Sequence, residues 1–211
     1  MDQWLSHMTD DAAFDFVPLP APFNGKEEIR AFFEETFAGF PDFGTTEGRV
    51  LVAGNIVVAE HNTTGTQLGV WNGIPPTGNS TSGPHIDIYE FEGDKVKRMA
   101  TYMDMAALLI QLGATSVPQA PALVPSIEVP DVEPTGLAPL DADIELIARW
   151  NSHDPGAVMK MIRPDAKVFA GPLGAYIDRA ANAALIEMYI LGFSDIQIDV
   201  VNRIDLGNGW V

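Results

Sequence analysis

Cysteine is missing from all 211 positions of the sequence. Its absence excludes disulfide bonds, thiolate-bound zinc and a cysteine nucleophile. The absence of cysteine does not indicate the cellular compartment, because the chain has no thiol whose redox state could report on it.

Basic residues are scarce: 12 lysines and arginines stand against 29 aspartates and glutamates, and the formal net charge is −17. Such a surface repels polyanions, which excludes nucleic acid as a partner. The charge favours solubility, and it also suits a neutral or cationic small molecule.

Long apolar runs are missing as well. No stretch reaches the roughly 18 apolar residues that a membrane span needs. The first residues have neither the basic n-region nor the apolar h-region of a signal peptide. We therefore expect no membrane partner and a cytoplasmic location.

Apolar content is ample, because 46% of the residues are hydrophobic, which suffices for one complete core and part of a second. A proline-rich stretch with little periodicity, residues 114–140, predicts a linker. The predicted organisation is a first unit over 1–113, the linker over 114–140 and an incomplete second unit over 141–211.

The first unit has the pattern of an α+β domain. Apolar residues at helical spacing predict an amphipathic helix over 26–38. Turns at Gly54-Asn55 and Gly93-Asp94 separate alternating segments and predict two hairpins of an antiparallel sheet. A closing helix is predicted over 105–112, with Asp104 as its N-cap and Gly113 at C′.

The second unit begins with two predicted helices. Apolar spacing predicts one over 142–150, and Asp154-Pro155 is typical of the start of a second that ends near residue 162. A strand and loop over 168–174, a helix over 180–191 and a strand over 196–204 complete the pattern.

Four short matches recur along the chain at an offset of 153 or 154 residues. In the first unit they are Asp11-Ala12, Pro18-Leu19, Phe40-Pro-Asp-Phe43 and Gly54-Asn55; in the second they are Asp165-Ala166, Pro172-Leu173, Phe193-Ser-Asp-Ile196 and Gly207-Asn208. One register across helix, loop and strand signals indicates a duplicated unit.

Each copy lacks something that the other has. The helix over 141–150 has no counterpart in the first copy, and nothing like residues 65–113 occurs in the second. We therefore hypothesise that residues 141–162 complete the helix layer of the first unit, within one chain or by exchange across a homodimer. An alternative is that the sequence is a piece of a longer two-unit protein.

A series of motifs runs through residues 1–113 in a fixed order. They are Gly25-Lys-Glu-Glu-Ile before an aromatic helix, Phe40-Pro-Asp, Gly65-Thr66 leading into Gly73-Ile-Pro-Pro-Thr-Gly78, Tyr102-Met-Asp104 and Gln111-Leu-Gly113. In this order and spacing the chain resembles the SnoaL-like polyketide cyclases. The resemblance implies the NTF2-like cone, a curved antiparallel sheet around a pocket closed by helices. It also implies cofactor-free ring closure of aromatic polyketide esters by an intramolecular aldol step.

The founding cyclases, as this resemblance has it, use an acid/base aspartate on the last strand and a histidine on the preceding strand. Those positions are Thr101 and Asp87 here, so the resemblance implies a rearranged site, because a threonine hydroxyl is no base near neutral pH without a stronger base beside it. Asp87 and Tyr89 share a strand face, and Thr101 is expected opposite them.

Burial in an apolar cone is expected to raise the pKa of Asp87 and let it act as the base, with Tyr89 or Thr101 as hydrogen-bond donor. A polar cluster that only binds a ligand is the alternative. Asp104, at a strand end, is a further catalytic candidate, although its capping position also explains it structurally.

Four more residues are candidates for the ligand pocket: His61, Trp71, His85 and Tyr102. His85 points to the same face as Asp87, and His61 could join them from another strand, which is also a pattern for a metal site. We expect no metal and no other cofactor, because the family resembled is metal-free. Trp71 is equally well explained by packing.

Two functions stay open at this point. The first is a cofactor-independent cyclase or isomerase that acts on a hydrophobic, polyketide-like carbonyl compound, with Asp87 as base. The second is a non-catalytic module for small-molecule binding or dimerisation, because a fold does not determine a function. A closed, water-free pocket that contains Asp87 favours the enzyme, and a pocket filled by Phe91, Met99 or Met103 favours the module.

Overall fold

The computed structural model describes residues 1–116, 123–170, 175–201 and 203–211. The chain divides into two compact units, Met1–Pro118 and Gln119–Val211. Over its described residues the first unit contains three helices and six strands: α1 (Asp2–Leu5), β1 (Met8–Phe16), β2 (Phe23–Asn24), α2 (Gly25–Gly39), β3 (Gly44–Ala53), β4 (Ile56–Thr66), β5 (Ser80–Glu92), β6 (Lys95–Met103) and α3 (Met105–Gln111).

The six strands form one sheet in the order β2-β1-β6-β5-β4-β3. Neighbouring strands are antiparallel except β1 and β6, which pair in parallel. The expectation of a purely antiparallel sheet is therefore wrong at this one pair. No hairpin joins β1 to β6, so turn geometry does not impose an antiparallel direction there.

Irregular pairing bends the sheet. The register shifts between Met8 and Ala13 in β1, between Thr46 and Arg49 in β3, and between Glu90 and Phe91 in β5. Such bulges sharpen the local twist and let a sheet curl. The result is the curved open sheet of an α+β fold.

The core of the first unit lies between β1, β6 and α2. Phe14 and Ile29 are fully buried, and Met99 is 5% exposed. Phe32 and Phe33 of α2 both pack against the Phe14 ring, with centroids 5.2 Å apart in each pair. The apolar face that predicted α2 is thus the face that covers the sheet.

Turns and caps follow the local sequence signals. Gly54 and Gly93 have φ values of +60° and +65°, which a residue without a Cβ adopts without strain. Both predicted hairpins form at these turns. Asp104 accepts a hydrogen bond from the Ala107 N–H at 2.8 Å and caps α3 as predicted, and Gly113 has φ +72°.

The second unit contains helices α4 (Pro139–Asn151), α5 (Pro155–Met159) and α6 (Arg179–Gly192), and a pair of short strands, β7 (Val168–Ala170) and β8 (Ala175–Ile177). The three predicted helices are confirmed. The core of this unit is made by five residues of α5 and α6: Val158, Met159, Ala183, Ile186 and Ile190.

The predicted strand over 196–204 is wrong for its described residues, which join no sheet. The Asn151 side chain bonds the backbone of this segment instead: its Oδ1 accepts from Ile198 N–H at 2.8 Å and its Nδ2 donates to Ile198 O at 3.0 Å. Residue 202, residues 117–122 of the predicted linker and residues 171–174 of the predicted strand and loop lie outside the described residues. The last of these segments includes the repeat match at Pro172-Leu173.

Among the described residues, no helix combines the length and the apolar character that crossing a membrane requires.

Candidate active site

A cavity of about 500 Å³ opens in the first unit, between the sheet and helix α2. Its walls are mainly aromatic and apolar. They comprise Trp4, Phe14, Phe16, Phe32, Phe33, Phe37, Phe40, Phe43, Trp71, Met99, Met103 and Leu108. A cavity of this size and character suits a small hydrophobic ligand.

Five of the polar side chains that line this cavity lie together, on three neighbouring strands. Alternation along β5 turns His85, Asp87 and Tyr89 to one face. The sheet register places His61 of β4 opposite His85, and Thr101 of β6 opposite Asp87. All five line the cavity, so the predicted grouping of Asp87, Tyr89 and Thr101 is what the structure shows.

Asp87 is the centre of this cluster and is 4% exposed. Its Oδ1 accepts a hydrogen bond from Thr101 Oγ1 at 2.5 Å, and its Oδ2 accepts one from Tyr89 Oη at 3.1 Å. The two histidines approach Oδ2, with His61 Nε2 at 3.3 Å and His85 Nε2 at 3.6 Å. The imidazole rings meet edge to face, 3.9 Å between centroids.

The pKa of Asp87 is lowered, not raised as expected. Burial pushes it up, but the interaction with His85, the hydrogen bond from Thr101 and the positive charge that both histidines can carry together outweigh burial. Asp87 is therefore ionised at neutral pH. The expectation was wrong because it considered the apolar walls and not the donors that face the carboxylate.

The pKa values of two neighbours of Asp87 also shift, one downward and one upward. Burial and the neighbouring His85 lower the pKa of His61, although Asp87 opposes this. Burial and the Asp87 charge raise the pKa of the Tyr89 phenol. At neutral pH the site therefore holds a carboxylate, a neutral His61 and a protonated Tyr89 that donates.

Two candidate residues lie away from this cluster. Tyr102 is 46% exposed, because alternation along β6 turns it to the face opposite Thr101 and Met103. The prediction that Tyr102 lines the pocket is wrong. Asp104 is the N-cap of α3. It is not among the described residues that line the cavity.

Trp71 does line the cavity, and it is also packed. It is 5% exposed, its Nε1 donates to Thr36 Oγ1 at 3.3 Å, and its ring meets Phe40 edge on with centroids 5.5 Å apart. Met99 and Met103 form part of the wall and leave the cavity open. Phe91 packs against the core of the first unit, the cluster that contains Phe14 and Ile29.

Sequence reasoning missed the contribution of β1 to the cavity. Phe14 and Phe16 line it, and Thr36 of α2 joins them. The alternation of Ala12, Phe14 and Phe16 was the available signal. The polar run Thr9-Asp10-Asp11 at the start of the strand obscured it.

The curved sheet, the covering helix and the enclosed polar cluster define a protein with an NTF2-like fold and a small-molecule cavity. A family model described as SnoaL-like polyketide cyclase matches residues 1–112. This chain therefore belongs to the SnoaL-like polyketide cyclase family.

Several solved structures are similar to part of this chain. A candidate SnoaL-like polyketide cyclase from Jannaschia sp. CCS1 is similar at 28% identity over 55% of this chain and 79% of that one, with a TM-score of 0.51. TsrD from Streptomyces laurentii is 28% identical over 54% of this chain and 83% of its own, with a TM-score of 0.49. AclR, a candidate hydroxylase from Streptomyces galilaeus, is 22% identical over 55% and 72%, with a TM-score of 0.47. A search of curated proteins found no match.

Proposed function

We propose that this chain is a cyclase or isomerase that removes a proton next to the carbonyl group of a hydrophobic, polyketide-like compound. The observation that carries the proposal is a buried, ionised carboxylate, Asp87, which faces an apolar cavity of about 500 Å³. Membership of the SnoaL-like family supports the same class of chemistry.

Asp87 is the base in this proposal. Its lowered pKa makes it a weak base but keeps it deprotonated at neutral pH, so it is ready to accept a proton. Fixed position offsets weak basicity, because a carboxylate held by Thr101 and Tyr89 meets the bound substrate in one geometry. The Asp87 carboxylate takes the α-proton, the electron pair of the broken C–H bond forms the C=C bond of the enolate, and the π pair of the C=O bond moves onto the carbonyl oxygen.

The enolate that forms needs hydrogen-bond donors. Tyr89 has a raised pKa and stays protonated. Its single O–H donates to Asp87 Oδ2 before the reaction, and it can turn to the enolate oxygen once that carboxylate has taken up the proton. The imidazoles of His61 and His85 lie on the same side of the cavity and offer further N–H groups. Proton removal and charge stabilisation can thus both occur at this one polar surface.

The replacement Asp87→Asn tests the proposal. The amide has the shape of the carboxylate but cannot accept the proton. We expect exchange of the α-proton of an aryl 1,3-diketone with deuterated solvent, followed by NMR, to fall by at least about 100-fold. Far-UV circular dichroism should show that the fold is retained.

Asp104→Asn is the matched control, because Asp104 caps α3 and does not line the cavity. It should leave the exchange rate unchanged. An Asp87→Asn variant that exchanges the probe as fast as the unaltered protein would rule out Asp87 as the base.

A non-catalytic binding module is the second candidate. Two replacements favour it. Thr101 stands where the founding cyclases have their catalytic aspartate, and Asp87 stands where they have their histidine. In that case the diketone binds, with chemical-shift changes at the cavity residues, but its α-proton exchanges no faster than in buffer.

We further propose that residues 141–211 are the N-terminal part of a second SnoaL-like unit. The ends of α2 and α6 support this. Phe40 N–H bonds Thr36 O at 2.8 Å, and 153 residues later Phe193 N–H bonds Tyr189 O at 2.9 Å. The two cap residues also share nearly the same backbone angles, φ −126° and ψ 81° against φ −131° and ψ 85°.

Strand pairing supports the same proposal. Phe14 pairs with Phe23 in β1 and β2, and Val168 pairs with Ile177 in β7 and β8, at an offset of 154 for both partners. The short helices α1 and α5 correspond as well, each carrying a buried residue, Leu5 and Met159. Helix α4 has no counterpart among residues 1–116.

A further inference from the structure

The side chains of His61, His85 and Asp87 form a group with the composition of a metal site. Each offers one ligand atom, and the three atoms lie within 4.8 Å of one another. His85 is 8% exposed and Asp87 is 4% exposed, so the group is largely withdrawn from solvent. Two imidazoles and one carboxylate are a common ligand set for divalent transition metals.

The spacing of the ligand atoms suits four-coordinate binding. Metal bonds of about 2.0 to 2.2 Å at tetrahedral angles place two ligand atoms about 3.3 to 3.5 Å apart. Asp87 Oδ2 lies 3.3 Å from His61 Nε2 and 3.6 Å from His85 Nε2. These two separations are longer than the roughly 2.8 Å of a charge-assisted hydrogen bond, and they match two edges of a metal tetrahedron. The ligand atoms of the two histidines lie within 4.8 Å of each other.

The neighbours of Asp87 leave it able to coordinate. Thr101 donates to Oδ1, and Tyr89 donates to Oδ2, which keeps a second lone pair. Donors of this kind fix the orientation of a ligating carboxylate in metal sites. The ring nitrogens of His61 and His85 supply the other two lone pairs.

The cavity provides space for a fourth ligand. His61, His85 and Asp87 all line it, so an ion held by them would face the enclosed volume. We propose that these three residues bind one divalent transition-metal ion, of the zinc or cobalt type, with an open coordination position toward the cavity. The family resemblance argues for a metal-free chain, and the proposal rests on the geometry of these side chains alone.

Metal binding and proton removal by Asp87 are separate claims about one site. The ion would use Asp87 Oδ2, so a bound ion and a free base are alternative states of the carboxylate. Binding is measured on the protein without substrate, and proton exchange is measured in the presence of a chelator. Failure of either result therefore leaves the other standing.

The experiment titrates the full chain, first treated with chelator, with Zn²⁺ by calorimetry and with Co²⁺ by visible absorption. We expect one equivalent to bind, and cobalt to give the intense visible bands of a four-coordinate complex. His61→Gln and His85→Gln should each weaken binding by at least about tenfold, the smallest loss typical even of residues that only support the ligands.

His7→Gln is the matched control, because His7 is exposed and away from the cavity; it should bind as the unaltered chain does. If a glutamine variant fails to fold, NMR of the histidine side-chain nitrogens in the unaltered protein decides. Zn²⁺ should then shift the signals of His61 and His85 and leave His7 in place.

Three results would overturn the proposal. The first is an unaltered chain that binds neither ion at millimolar concentration. The second is undiminished binding in folded His61→Gln and His85→Gln variants. The third is a Zn²⁺ response confined to the signals of His7 or of His153, the fourth histidine of the chain.

Discussion

Asp87 shows how three strands set the chemistry of one side chain. Its own strand supplies Tyr89 and His85, β4 supplies His61, and β6 supplies Thr101. Burial alone would favour the neutral acid, yet these neighbours favour the ion, and the pKa lies below its ordinary value. The ionised state of this buried carboxylate therefore depends on the hydrogen-bond donors around it.

Thr101→Val tests that dependence. The replacement keeps the shape of the side chain but removes the hydroxyl that donates to Asp87 Oδ1. We expect the free energy of unfolding at neutral pH to fall by about 1 to 3 kcal/mol, because a buried charged oxygen loses its partner. Urea denaturation measures the change.

Thr46→Val is the control for that measurement, since Thr46 is exposed on β3. It should change stability by less than about 0.5 kcal/mol. Equal stabilities for the two valine variants would mean that the bond from Thr101 contributes nothing.

The β3–β4 hairpin shows why the sheet curls where it does. Its register shifts between Thr46 and Arg49, and Gly48 lies in this bulge. A Cβ built on Gly48 would lie 1.6 Å from the Glu60 carbonyl oxygen, which is backbone of the partner strand and cannot rotate away. The close approach of the two strands therefore requires glycine.

Gly48→Ala should force β3 and β4 apart and lower the unfolding free energy by about 1 to 3 kcal/mol. Gly44→Ala on the same strand is its control, because the nearest atom to that Cβ would be Thr64 Oγ1 at 3.7 Å. Thermal denaturation of both variants decides the matter. Similar melting temperatures would show that the bulge does not need glycine.

The loop after α2 is tied to the end of β4 by one carboxylate. Asp42 Oδ1 accepts from Thr66 N–H at 2.6 Å, and its Oδ2 accepts from Thr66 Oγ1 at 2.8 Å. The backbone bond from Thr66, followed by the side-chain bond, lowers the pKa of Asp42. Protonation in the folded state would weaken both contacts.

This shift predicts a pH dependence with a definite sign. Because the folded pKa lies below the unfolded value of about 3.9, the contribution of Asp42 is fully present above that value. It is lost as the pH falls through the folded pKa. The difference in stability between the unaltered protein and Asp42→Asn should therefore be greatest near pH 7 and shrink below about pH 4. Denaturation series at several pH values measure it, and a constant difference would refute the assignment.

The chain as a whole combines one unit that matches the family model with a second, shorter compact unit. If residues 141–162 complete the helix layer of the first unit, a fragment of residues 1–113 should unfold at lower urea concentration than the full chain, or should self-associate. Urea denaturation and sedimentation velocity test both outcomes. A monomeric fragment with the stability of the full chain would remove the basis of this hypothesis.

Local signals in the sequence predicted much of this architecture. The turns at Gly54 and Gly93, the helix at 26–38 and the cap at Asp104 all depend on residues within a few positions of one another. The shared face of Asp87 and Tyr89 follows from the strand period of two in the same way. Such features were predictable because their physical causes are local in the chain.

Contacts between distant segments decided the rest. The polar start of β1 gave no sign that this strand pairs in parallel with β6 and carries Phe14 and Phe16 into the cavity. The strand expected at 196–204 is instead held by the Asn151 side chain, far away in the chain. Long-range pairing depends on which surfaces meet, and periodicity within one segment does not record that.

The family, the hairpins and the residues on each face of β5 were therefore determined by the order of amino acids alone. The register of β4, β5 and β6 decided two further points: whether Asp87 is ionised, and whether His61 lies close to its carboxylate. Burial and hydrogen bonding act on the carboxylate in opposite directions, and only their positions in the folded protein decide which is larger.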